Sequence, residues 1–280
     1  MTILKTTKEL NSWFIENSNG LAKNVGFVPT MGALHSGHGT LIERASKECD
    51  SVVVSIFVNP TQFNETTDFQ SYPRTLEGDM LLAKDAGATV VFAPSPEDIY
   101  GLNVHAERVD YGPVTSTFEG RSRPGHFDGV ISVVDKLFVA VKPQKAYFGS
   151  KDLQQVAVVE RMSRERHPQI QIVSCDLIRD ENGLALSSRN ARLSSHGIAL
   201  AQHISSELQA SVSRVKKGLE TAKSVEMAQY NLEKLGGLDL EYIGGVDKKT
   251  FAKSSADRGW THIVVAARVE GVRLIDNIEL

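Results

Sequence analysis

Apolar residues along this chain fall alternately into helical stripes and short unbroken runs. Residues 6–19, TTKELNSWFIENSN, set Leu10, Trp13 and Phe14 at helical intervals behind Thr6 and Glu9 in capping-box spacing. NVGFV at 24–28 reads as a short buried strand. HGTLIERASKECD at 38–50 reads as a helix. SVVVSIFVN at 51–59 is a β-branched run without alternation, the pattern of a parallel strand covered on both faces. TLEGDMLLAKDAGA at 75–88 predicts a helix closed by Gly87, and TVVFAP at 89–94 a strand. The most regular helix is FDGVISVVDKLFVAVK at 127–142, where Val130, Val133, Val134, Leu137, Phe138 and Val141 form one apolar stripe. AYFG, then KDLQQVAVVERMSRER, then QIQIVSCDLI read as strand, helix and strand.

Strands alternating with helices of this length predict an α/β fold with a parallel, doubly wound sheet. The pattern changes near residues 175–185. DENGLALSSRN is polar and turn-rich, two long helical stretches follow, and EYIGGVD with the hairpin-like THIVVAARVEGVRLIDN closes the chain. A smaller C-terminal α+β domain is expected there.

Composition narrows the function classes. Among 280 residues, 41% are hydrophobic and 23% charged, which suits a globular protein with a substantial core. The net charge is −3 and Lys and Arg form no long run, so no broad surface for nucleic acid or anionic membrane is expected. Cys49 and Cys175 fit neither a disulfide framework nor a CxxC metal site and read as reduced thiols. The segment MTILKTTKEL lacks a signal-peptide core, and no apolar run approaches the ~18 residues of a membrane span, so a cytoplasmic location is expected.

Anion binding should then be local. In a doubly wound sheet ligands bind beyond the carboxyl ends of the strands, and PTMGALHSGH at 29–38 follows the first strand of the alternating pattern. Gly32, Gly37 and Gly39 let backbone approach a bulky anion, and a helix starting near His38 turns its open N–H groups and positive dipole end toward it. His35 and His38, three apart, can project on one side and donate to phosphate oxygens. The spacing is neither GxGxxG nor a Walker A loop; it is the HxGH form, associated with nucleotidyl transfer at the α-phosphate of a nucleoside triphosphate. LSSRN at 186–190 offers the hydroxyls of Ser187 and Ser188 and the Arg189 guanidinium to a triphosphate, or equally a helix N-cap. In YFGSKDLQQ at 147–155, Lys151 suits a phosphate and Asp152 a ribose hydroxyl or a cation, unless they are a solvated pair at a helix start.

PTMGALHSGH, VVSIFVNPTQF, YPRTLEGD, RPGHFDGV, YFGSKDLQQ and LALSSRN, collinear and in this order through the terminal RLIDN, closely resemble the bacterial pantothenate synthetase family. The resemblance implies a Rossmann-like amino domain at 1–177, a smaller α+β lid domain at 178–280, homodimeric assembly and a need for Mg²⁺. It implies ligation in two steps: pantoate and ATP give pantoyl adenylate and pyrophosphate, and β-alanine then displaces AMP to form pantothenate. The ATP site would comprise Met31, Gly32, Ala33, Leu34, His35, Ser36, Gly37 and His38, with Gly149, Ser150, Lys151 and Asp152, the backbone of Ile178, and Leu186, Ser187, Ser188 and Arg189. His38 matches the family's catalytic proton donor, and His35, Lys151 and Arg189 complete the expected catalytic set. Gln62 and Gln155 match the pantoate-binding glutamines, Gln62 being shared with β-alanine, and Asn59 and Arg123 fall at positions lining that pocket. Ser150 stands where Glu is usual, Ser36 where an acidic residue is common, and Gly39 where a larger residue often follows. Of the acidic contacts after YPRT, Asp79 is present while Gly78 replaces a neighbour, which leaves the metal ligands open.

His126 reads either as a pocket residue or as a turn histidine. His105, His167, His196, His203 and His262 read as surface or core groups, and Trp13 and Trp260 as packing groups. Two rival functions share HxGH: a nucleotidyltransferase that leaves the nucleotide on its product, and a nucleotide sensor without turnover. Release of AMP separates both from a ligase.

Overall fold

The computed structural model describes residues 1–19, 23–64, 66–252 and 259–280. In chain order the elements begin β1 (Thr2–Leu4), α1 (Thr7–Glu16), β2 (Val25–Thr30), α2 (Ser36–Glu48), β3 (Ser51–Ile56), α3 (Thr66–Ser71), α4 (Leu76–Asp85) and β4 (Val90–Phe92). Next come α5 (Pro96–Tyr100), α6 (Pro113–Ser116), α7 (Phe118–Ser122), α8 (His126–Val141), β5 (Lys145–Gly149), α9 (Leu153–Arg166) and β6 (Gln171–Cys175). The chain closes with α10 (Ser195–Lys216), α11 (Thr221–Glu233), β7 (Leu238–Val246), β8 (His262–Val269) and β9 (Val272–Glu279). Two compact units divide it: Met1–Tyr111, Arg123–Ser150 and Val158–Cys175 make the first, and Gly112–Ser122, Lys151–Ala157 and Asp176–Leu280 the second.

The first unit is built on a six-stranded sheet of order β1-β4-β3-β2-β5-β6, parallel at every pairing. It is Rossmann-like, as the alternating pattern predicts. Residues 51–55 of β3 are all buried, which explains its unbroken β-branched run: both faces are covered, so neither selects polar side chains. On α8 the whole stripe from Val130 to Val141 is buried, and Phe138 meets Phe27 of β2 edge-on at 6.2 Å. The Thr6–Glu9 capping box at α1 is formed, with Glu9 N donating to Thr6 Oγ1 at 3.1 Å and Thr6 N to Glu9 Oε2 at 3.1 Å. The edge strand β1 carries no readable pattern, because three residues beside β4 are too few to show a period.

Strand order reverses at β2, which has β3 on one side and β5 on the other. Such a switch point leaves a crevice beyond the carboxyl ends of the strands. β2 ends at Thr30, immediately before the HxGH segment, and β5 ends at Gly149, immediately before Ser150–Asp152.

The second unit carries an antiparallel sheet of order β7-β8-β9. Ala201, Ile204 and Leu208 of α10 and Val225 and Leu232 of α11 share one buried cluster with Val265, Ala267 and Val269 of β8. The β8–β9 hairpin turns through Glu270 at φ 51° and Gly271 at φ 75°, the two positive dihedrals of a type I′ turn. Glu270 also fastens this hairpin to the start of α10, where its carboxylate accepts from Ser194 N at 2.8 Å. Among the described residues no helix is long and apolar enough to cross a membrane.

One close approach fixes the substrate end of the first unit. A Cβ on Gly129 of α8 would lie 2.5 Å from the Thr61 carbonyl oxygen, so the helix can pack onto the Pro60–Gln62 turn only with glycine there. Gly129→Ala is expected to destabilise the protein by about 1–3 kcal/mol through overpacking. Chemical denaturation checks this; an unchanged midpoint would show that the turn yields without strain.

Candidate active site

The segment after β2 is held by buried polar groups before any ligand is considered. Thr30 Oγ1 donates to Ser55 O at 2.6 Å and accepts from Gly32 N at 3.1 Å. The chain then turns through Gly32 at φ 79° and Ala33 at φ 48°. Glycine is required at the first of these on two counts, the dihedral and space: a Cβ would sit 2.9 Å from Asp79 Oδ2. Asp79 of α4 is 2% exposed and receives Ala33 N at 2.9 Å, Leu34 N at 2.7 Å and Thr75 Oγ1 at 3.0 Å. This carboxylate therefore shapes the loop from beneath. Both its oxygens are engaged by the protein, one by Ala33 N and the other by Leu34 N and Thr75 Oγ1.

The helix α2 begins at Ser36, two residues earlier than the sequence suggests, with His35 as its N-cap. Side-chain and backbone bonds cross between the two histidines. His35 Nδ1 accepts from Gly37 N at 3.2 Å, and His38 Nδ1 accepts from His35 N at 3.3 Å. The pair is thus a capping box written in imidazole, a form no Ser/Thr-x-x-Glu pattern would detect. A ring nitrogen that accepts from an amide carries no proton, so each ring bears its proton on Nε2. The rings lie 4.2 Å apart between centroids, on one side of the helix start. Two sequence expectations change here. Gly37 N is engaged by the His35 ring, and Gly37 and Gly39 lie inside α2, so of the three glycines only Gly32 meets a dihedral demand.

The NPTQF segment is a second organised cluster of the first unit. Asn59 is 1% exposed and caps the Pro60–Gln62 turn. Its Nδ2 donates to the Gly129 carbonyl at 3.1 Å, which fixes the amide's orientation, because a carbonyl only accepts. The same Nδ2 donates to Gln62 Oε1 at 3.1 Å. Gln62 therefore turns its oxygen inward, and its Nε2 lies 3.1 Å from Met31 Sδ, beside the HxGH segment. Tyr100, absent from the sequence-based set, donates to Asn59 Oδ1 at 2.8 Å. Burial pushes its phenol above the ordinary range, so it stays a donor. Nothing in the spacing of Tyr100 points to Asn59, forty-one residues away. Arg123 Nη2 and His126 Nδ1 both reach the Gln62 carbonyl, at 3.3 and 2.9 Å, and Arg123 Nη1 lies 3.1 Å from His126 Nε2. His126 is buried at the start of α8 and acts on Gln62 through its backbone.

In the second unit, Lys151 Nζ lies 3.3 Å from Asp152 Oδ2, with the lysine side chain 19% exposed and the aspartate 46%. The two neighbouring glutamines divide their work. Gln154 is buried and bonded to Glu119 N, Val114 O and Thr117 O, while Gln155 on the next helical position is partly exposed. Leu186 N donates to Ile178 O at 3.0 Å, tying the two ends of this segment together. Ser187 caps a 3-10 turn over Ser188–Arg192, its Oγ accepting from Arg189 N at 3.3 Å. The cap reading of LSSRN is realised, and it holds Ser188 and Arg189 in a defined, partly exposed turn. In the first unit, Gly149 ends β5 and Ser150 Oγ is 2.8 Å from Ser174 Oγ.

No group of three or more His, Cys, Asp or Glu side chains arranged for a metal occurs among the described residues.

A profile of the pantoate–β-alanine ligase family matches residues 2–279. The pantothenate synthetase of Phocaeicola vulgatus is 45% identical over 284 residues, covering 100% of this chain and 99% of its own. Among solved structures, pantothenate synthetase from Thermus thermophilus superposes with a TM-score of 0.91 at 39% identity, over 100% of this chain and 99% of that one. The pantoate–β-alanine ligase from Francisella tularensis, solved with beta-gamma ATP and β-alanine, superposes with a TM-score of 0.80 at 35% identity, over 100% and 97%.

The role given to Asp79 has a direct readout. Asp79→Asn sets an N–H donor against one of the two backbone donors, Ala33 N or Leu34 N, and should cost about 1–3 kcal/mol in stability. Hydrogen exchange at Ala33 and Leu34 should accelerate in the folded variant. Unchanged protection at both amides would mean that the carboxylate does not hold the loop.

Proposed function

The chain belongs to the pantoate–β-alanine ligase family, and from that premise we propose that it joins pantoate to β-alanine with ATP, through pantoyl adenylate. The observation that carries the proposal is the reciprocal His35–His38 cap at the carboxyl end of β2. It presents two Nε2–H donors at the switch point of a parallel sheet. The Francisella relative, solved with beta-gamma ATP and β-alanine, supports the same substrates here.

In the first step a pantoate carboxylate oxygen attacks the α-phosphorus of ATP and pyrophosphate leaves. Negative charge grows on the oxygen bridging to the leaving group, and little covalent work falls to the protein. It has to hold two anions in line and neutralise the growing charge. Nε2–H of His38 and of His35, the Lys151 ammonium and the Arg189 guanidinium are the proposed donors. Residues Met31–His38, Gly149–Asp152, the backbone of Ile178 and Leu186–Arg189 are proposed to hold ATP. In the second step the β-alanine amine attacks the acyl carbon, AMP leaves, and the amine gives up a proton.

Gln62 and Gln155 are proposed to hold pantoate. Asn59 makes this role specific for Gln62: with its oxygen committed inward, the side chain offers N–H to the substrate's oxygens. An amide also leaves the attacking carboxylate unpaired with a cation, which preserves its nucleophilicity. Arg123 supports Gln62 through its carbonyl. Mg²⁺ enters this reading as part of the substrate, carried on the triphosphate oxygens with water. A cytoplasmic homodimer completes the proposal.

The test is AMP and pyrophosphate release from MgATP, with pantoate and β-alanine supplied singly and together. AMP should require both acids. A product that retains the nucleotide would point to another nucleotidyltransferase, and ATP binding without turnover to a sensor. His38→Ala and Lys151→Ala should each lower turnover about 10²–10³-fold while remaining folded, the usual cost of one aimed donor. Near wild-type turnover in either folded variant would remove that residue from the mechanism.

A further inference from the structure

Two adjacent residues of β9, Asp276 and Asn277, are 5% and 6% exposed, and neither belongs to the set that contacts substrates. Arg179 grips Asp276 with both prongs, Nη1 to Oδ2 at 2.7 Å and Nη2 to Oδ1 at 2.9 Å. The same guanidinium donates to Gly183 O at 3.0 Å and to Asn277 O at 3.1 Å. Arg179 is thereby bonded across the 180–184 turn, which Asp180 closes by accepting from Asn182 N and Leu184 N at 2.9 Å each. Beyond the turn, Arg179 pairs with Ala185 in an antiparallel bridge, and Asn190 Nδ2 donates to Ala185 O at 2.9 Å. A continuous set of bonds therefore runs from Asp276 to the turn that carries Ser187, Ser188 and Arg189.

Asn277 reaches the other ATP segment of the same unit. Its Nδ2 donates to the Lys151 carbonyl at 3.1 Å, and its own N–H donates to Asp276 Oδ1 at 2.7 Å. Burial pushes the Asp276 carboxyl up while the Arg179 fork opposes it, so the charge is tolerable only with its partner in place.

We propose that Asp276 and Asn277 are positioning residues for ATP, setting the Lys151 backbone and the Ser187–Arg189 turn in one register from the end of β9. This rests on the ligase reading, in which those two segments hold the triphosphate. A β-sheet end suits the task, since strands are stiffer supports than loops. Asn277 acts through the backbone of Lys151, and Asp276 through Arg179 and the 178–190 hairpin.

The experiment measures binding of α,β-methylene-ATP by calorimetry to the wild type, Asn277→Ala and Arg179→Lys, alongside the KM for ATP and for pantoate. Asn277→Ala removes the side-chain bond to Lys151 O and leaves the Arg179–Asp276 pair. Arg179→Lys keeps the charge and loses the fork. Each should weaken analogue binding and raise the ATP KM about tenfold, the scale of one lost hydrogen bond, with the pantoate KM within about twofold. Arg214→Ala serves as the control for general loosening. It removes the bond to Ser224 that joins α10 to α11 and the bond to Glu207 within α10, and should lower the thermal midpoint without changing analogue affinity. Analogue affinity within about twofold of wild type in both test variants would overturn the proposal, as would equal losses for ATP and pantoate. Wild-type AMP formation judges the ligase reading separately, because the analogue's affinity is read without turnover.

Discussion

Two backbone amides decide where the protons of His35 and His38 sit. Gly37 N–H points at His35 Nδ1 and His35 N–H at His38 Nδ1, so both rings are oriented and assigned a tautomer by the start of α2 itself. Everything nearby serves that arrangement. Asp79 fixes the loop that delivers His35, and Thr30 ties the loop's first turn to β3. The parallel sheet puts the whole assembly at its switch point. The helix end itself supplies these two orienting donors.

The same economy appears in the glutamine pocket. An amide side chain has two ends of opposite hydrogen-bonding sense, and a pocket that uses one has to exclude the other. Here the Gly129 carbonyl fixes Asn59, and Asn59 fixes Gln62. Gly129 is glycine because its own Cβ position is filled by the Thr61 carbonyl, so helix packing and amide orientation are one constraint. The second unit follows a similar logic with charge, where the buried Asp276 is held by a two-pronged Arg179.

Much of this is legible in the sequence where a residue acts through its period or its motif. The α8 stripe, the unalternating β3 run and the Thr6–Glu9 box each appear in the structure as read, since local chemistry alone sets them. HxGH follows β2, where the strand order reverses. What stays hidden depends on contacts distant in sequence. That Asp79 holds the loop is one such case: an acidic residue after YPRT carries no mark that Ala33 and Leu34 will donate to it from forty-six and forty-five positions away. Tyr100 and Asp276 give no signal for the same reason. The start of α2 lies two residues from where the pattern sets it because a histidine is rarely an N-cap, and its ring nitrogen replaces the usual hydroxyl or carboxylate.

The central claim is the tautomer of the paired histidines, and nitrogen NMR of the imidazole rings reads it directly. Long-range proton–nitrogen correlation spectra of uniformly labelled protein, assigned with His35→Gln and His38→Gln, should show both neutral rings protonated at Nε2 with Nδ1 bare. A proton on Nδ1 of either ring would contradict the account, since that nitrogen would then face a backbone donor instead of accepting from it.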